Sequence, residues 1–134
     1  MIIEFEKFKT MKALKELREH EIDLLKKYGW VVHHVLGLGS HTHGIWEAFG
    51  HPDIELAVAV HPEIAHGIIC NAKTLIKDQP IEVGKRYSEI LQNMDVLFIK
   101  SPTEENTLRL ILPDPHGNLD FDTMKEPYKS QYLP

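Results

Sequence analysis

A chain of 134 residues, 43% hydrophobic and 26% charged, has the length and composition of one globular domain that needs no staples to fold. Fifteen Lys and Arg against twenty Asp and Glu leave a net charge of -5, which argues against binding nucleic acid or an anionic membrane. The longest purely apolar run, Leu56 to Val60, falls far short of the roughly 20 residues a membrane-spanning helix needs. A lone Cys70 excludes an internal disulfide, and Glu4 and Glu6 stand where a signal peptide would be basic. Both features predict a cytoplasmic protein.

In chain order, the apolar residues from Met11 to Tyr28 fall on one arc at helical spacing, predicting an amphipathic helix over Thr10 to Tyr28 with Thr10 as cap and Gly29 beyond its end. Arg18 and Glu21 land in that arc and read as an ion pair at its edge. Trp30 to Leu36 is β-branched and bounded by glycine, a strand buried on both faces. Residues Gly37 to Pro52 hold four glycines and no period, and read as a long loop with a helical turn at Ile45 to Phe49. Ile54 to His61 is a second strand, and Pro62-Glu63 opens a helix whose apolar positions fit packing on a sheet.

Further on, Ile81 to Val83 reads as a short strand, Lys85 to Asn93 fits strand or helix, and Val96 to Ile99 and Thr107 to Leu112 are strands. Asp114 to Asn118 is a turn, Leu119 to Asp122 a return strand, and Met124 to Pro134 a surface-hugging tail. The expected fold is a single α+β domain, a mixed or antiparallel sheet with two main helices packed on it, its core about residues 10–122 and its tail 123–134.

Seven of the nine histidines lie between His33 and His66. Neighbouring strand residues face opposite ways, so His33 and His34 cannot both serve one site, and at least one is structural. His41 and His43 point the same way in extended backbone, with Glu47 and His51 following at four-residue steps. His41, His43, Glu47 and His51 therefore form a candidate set for zinc, iron or manganese. The His-x-His-x-x-x-Glu spacing is similar to the first metal motif of cupins, but a helix follows where that fold needs a strand, and no second motif is present.

Other clusters have plainer explanations. His66 and Cys70 can touch across one helical turn, but Cys70 lies mid-helix without an oxyanion-hole signature. The turn accounts for Asp114 in the group Asp114, Asp120 and Asp122. Gly37-Leu38-Gly39-Ser40 lacks the Gly-Lys-Ser/Thr ending of a phosphate loop.

Tyr28-Gly29-Trp30, Thr42, Gly44-Ile45, His51-Pro52-Asp53-Ile54-Glu55-Leu56, Ile69, Asn71, Gly84, Leu112-Pro113-Asp114 and Gly117, taken in order, resemble the bacterial family catalogued as domain of unknown function 4262. The resemblance runs from about Leu25 to Asp122 and implies a fold rather than an activity. His41 stands where the resembled family usually has a tyrosine, and His43 replaces a hydrophobic residue. A metal site would accordingly be a feature of this branch.

Three functional expectations follow. The first is a module binding a small molecule or protein partner through residues 39–52, with His41, His43, Trp46, Phe49 and His51 as contacts. The second is a metal-dependent hydrolase or oxygenase in which Glu47 is fourth ligand or general base. The third is a pH-responsive surface, with a homo-oligomer as one form of partner.

Overall fold

The computed structural model describes residues 2–4, 11–35 and 39–134. Thr10 as a cap, Leu36 as a strand end and Gly37-Leu38 lie outside these residues. The elements in order are β1 (Ile2–Glu4), α1 (Met11–Tyr28), β2 (Val31–Val35), β3 (Gly39–His43), α2 (Ile45–Phe49), β4 (Asp53–Leu56), α3 (Pro62–Asp78), β5 (Arg86–Leu91), β6 (Met94–Lys100), β7 (Thr107–Ile111) and a 3-10 helix at Tyr128–Tyr132. The strands form one mixed sheet in the order β1-β2-β3-β4-β7-β6-β5. β1 with β2 and β4 with β7 are parallel, and the other pairs are antiparallel.

The two sheet faces are chemically different, and that difference positions the site. One face carries Val32, Ile54, Leu56, Leu108, Leu110, Phe98 and Val96 and is covered by Ala65, Ile68, Ile69, Ala72, Leu75 and Ile76 of α3. His61 caps this helix by accepting the Glu63 amide, and Pro62 occupies its first turn. On the opposite face, Leu97, Ile99 and Ile111 pack under Leu119, Met124, Tyr128 and Tyr132 of the C-terminal segment. Between that apolar end and α1 runs a row of polar residues in register across four strands: His33 opposite His41, His41 opposite Glu55, and Glu55 opposite Arg109.

Several sequence expectations need adjustment. Gly39 to His43 is a strand, not a loop, because its alternation is written in polar residues. Ser40 and Thr42 face inward and are satisfied by hydrogen bonds, Ser40 with His34 and Thr42 with Asp53 and the Ile54 amide, while His41 and His43 face the other way. The second strand stops at Leu56, five residues short of His61, and residues 81–83 and 119–122 form no strand. Residues 86–91 resolve to strand β5, paired antiparallel with β6. Asp114 shapes the expected turn, accepting from the amides of His116, Asn118 and Lys125 and from the Asn118 side chain. The tail hugs the sheet as expected: the buried Gln131 amide bonds both ways to Leu112, and Tyr132 donates to the Leu119 carbonyl. Among the described residues no helix is long and apolar enough to cross a membrane.

Candidate metal centre

The register of β2 with β3 builds the site. His33 pairs directly with His41, and Val31 with His43, so both β3 histidines share the face of His33. The three imidazoles pack with ring centroids 4.9, 4.4 and 5.1 Å apart. One ring nitrogen from each lies within 4.8 Å of the others, the one group of three or more metal-ligating side chains this close among the described residues. His33 Nδ1 and His41 Nε2 stand 3.1 Å apart. A tetrahedral ion with bonds of 2.0–2.1 Å has ligand-to-ligand edges of about 3.3 Å, so this pair already spans one edge.

Two glycines hold the strand carrying these residues. At Gly39, with φ +132°, a Cβ would meet the Leu56 carbonyl oxygen at 2.2 Å, so β3 lies against β4 at a distance only glycine allows. Gly44, with φ +98°, turns the chain from His43 into α2, and a Cβ there would meet the Gly29 carbonyl oxygen at 2.5 Å.

Glu21 of α1 completes the first layer around the imidazoles. Its Oε1 lies 2.9 Å from His33 Nε2. A carboxylate can only accept, so Nε2 carries the proton and Nδ1 of the neutral ring keeps its lone pair toward His41. Burial, and then the neighbouring His43, His41 and His34, push the His33 pKa down to about 3. Burial and then His43 lower that of His41, although Glu55, Glu104 and Asp53 pull the other way. Both rings are thus neutral at physiological pH, the form in which imidazole binds metal.

This has a consequence for stability. An unfolded His33 takes up its proton near 6.5, whereas the folded one resists down to about 3. The unfolded chain therefore binds more protons across that window, and stability contributed by His33 falls as pH drops below about 6.5. Urea midpoints of metal-free protein are expected to decline from pH 7 to pH 5. Replacing His33 by Gln should flatten that decline.

Two cavities flank the cluster. One, about 520 Å³, opens beside His43 between the end of α1 and α2 and is bounded by Glu21, Leu25, Glu47 and Ala48. The other, about 340 Å³, is bounded by His41, His43, Asp53, Glu55, Glu104 and Glu105. Arg109, at the end of the polar row, is buried: Nε donates to Glu55 at 3.0 Å, and Nη1 to the carbonyls of Gln131 and Leu133.

Of the sequence-derived set, the structure brings together His41 and His43. Glu47 lies on α2 and shares the larger cavity with His43. His51 is buried elsewhere: Nδ1 donates to the Pro52 carbonyl, and Nε2 accepts the Ile81 amide at 3.2 Å. Trp46 is exposed and Phe49 packs against the main core. His33 joins His41 and His43 in place of Glu47 and His51, and its signal is cross-strand register rather than any linear motif. His34, on the opposite face, bonds to Ser40 at 2.6 Å. His66 lies 3.4 Å from Cys70 and stacks on Trp30. Burial raises the Cys70 pKa and lowers that of His66, so this pair is a neutral thiol and a neutral imidazole rather than an activated nucleophile.

The architecture is that of an α+β domain whose mixed sheet carries an imidazole trio graded from buried His33 to exposed His43. The family described as Domain of unknown function (DUF4262) matches residues 24–108, more than half of the sequence, and the chain belongs to that family. No curated protein and no solved structure matches it. The three imidazoles fall within the matched region, whereas Glu21 and Arg109 lie just outside it.

Proposed function

We propose that this domain binds a divalent transition metal, zinc in the first place, through His33, His41 and His43, and uses it to activate water for hydrolysis. The observation that carries the reading is the convergence of three ring nitrogens within 4.8 Å. Three imidazoles with an open fourth position are the donor set of a catalytic rather than a structural zinc. Zinc held by these rings would supply Lewis-acid activation of water near neutral pH, and Glu55, which lines the adjoining groove with one oxygen on Arg109, would act there as an acceptor for hydrogen bonds.

Untagged protein expressed with added zinc is expected to hold about one metal per chain by elemental analysis. Less than about 0.1 per chain would overturn the reading, given the tight binding of preformed sites. Glu21 acts as a positioning residue. Glu21→Ala is expected to weaken zinc binding by about 10- to 100-fold in chelator competition. Glu21→Gln, whose amide oxygen can accept the same bond, should recover most of that loss.

A further inference from the structure

The cavity at the end of α1 has walls of two kinds. Leu25 and Ala48 supply an apolar side, and Glu21 and Glu47 supply carboxylates beside His43. The cavity across the imidazoles adds Asp53, Glu55, Glu104 and Glu105. Among the described residues neither is lined by Lys or Arg. The guanidinium at the end of the row, Arg109, is held by Glu55 and two carbonyls. In the metal-free chain a carboxylate or phosphate entering here would meet acidic groups from both sides with no cationic side chain among the lining residues to receive it, and the net charge of -5 adds to that repulsion. A volume of about 520 Å³ lies within the usual range for small-molecule sites.

We infer that the ligand taken beside the imidazoles is a small organic cation, an ammonium or guanidinium on a short apolar body, with its charge on Glu47 and its body against Leu25 and Ala48. The inference rests on the proposed metal reading for where reaction occurs, but the charge preference is built by the chain's own side chains and is present without metal. Glu47 is exposed and carries no structural hydrogen bond among the described contacts, so its carboxylate is available to a ligand. Glu21 keeps one oxygen on His33.

Isosteric probes separate charge from shape. Butylguanidinium and butylurea share size and shape but differ in charge and in one donor group that becomes an acceptor oxygen, and butyrate carries the opposite sign. In amide NMR titrations of the metal-free and zinc-loaded chain, butylguanidinium is expected to shift Gly29, Gly44 and Ala48 and to bind about tenfold tighter than butylurea, the scale of a charge-assisted hydrogen bond. Butyrate should be weaker still in the metal-free chain, and Glu47→Gln should remove most of the preference. Equal binding of the first two probes, tighter binding of butyrate to the metal-free chain, or shifts confined to other residues would overturn the inference. Because the metal-free arm reads charge selection alone, a chain that selects the cation but holds no zinc would overturn only the metal reading.

Discussion

Replacing His41 by alanine is expected to weaken zinc binding by about 100-fold or more. Binding energies of roughly 10–16 kcal/mol for four-ligand zinc sites assign about 3 kcal/mol to each ligand, and each 1.4 kcal/mol is a factor of ten. His41 faces His33 directly across the strands and shares its strand face with His43 two residues along. His33→Ala should lose a comparable factor. Glu47→Gln should leave zinc affinity within about threefold, because Glu47 stands outside the trio. Chelator competition on folded protein measures all three. The reverse ranking, with Glu47 decisive and His33 silent, would restore the ligand set expected from linear spacing.

The largest loss of stability is expected at Arg109. Arg109→Met removes the cation from a carboxylate that is 9% exposed and leaves the Glu55 charge buried beside an apolar side chain. Breaking a buried pair in this one-sided way costs about 3–5 kcal/mol. For a domain of this size that corresponds to a melting temperature lower by roughly 10–20 °C. The double variant Glu55→Gln/Arg109→Met should regain at least about 1 kcal/mol over the single one, because the stranded charge is gone. Arg109 also holds the carbonyls of Gln131 and Leu133. Hydrogen exchange should therefore quicken in residues 128–134 of the single variant. Urea melts and exchange mass spectrometry read the two effects separately.

Where the chain writes its structure in apolar periods, the sequence is readable. The arc of α3 and the alternation of β7 both predicted elements that match within two residues. Apolar patterning fails at β3, where the inward residues are Ser40 and Thr42, whose burial depends on hydrogen bonds to His34, Asp53 and Ile54. It fails again after Leu56, where an alternating run continues in sequence but the chain leaves the sheet. The candidate site was half legible for the same reason. His-x-His marks two rings on one face of one strand, whereas His33 joins them only once β2 and β3 are set in register. His51 sits four residues from Glu47 in sequence, yet it spends both ring nitrogens on backbone groups, including an amide 30 positions away. No local pattern encodes that partner.

The direct pairing of His33 with His41 also changes what should be sought among relatives. Because the third ring comes from the preceding strand, the informative signature is a histidine eight positions ahead of the His-x-His pair. A chain bearing the pair alone supplies two ligands on one strand and nothing opposite, and a chain whose first histidine is displaced by one position presents it to the α3 side of the sheet. Spacing between the two strands, more than histidine content, would therefore separate members of this family that can hold an ion from those that cannot.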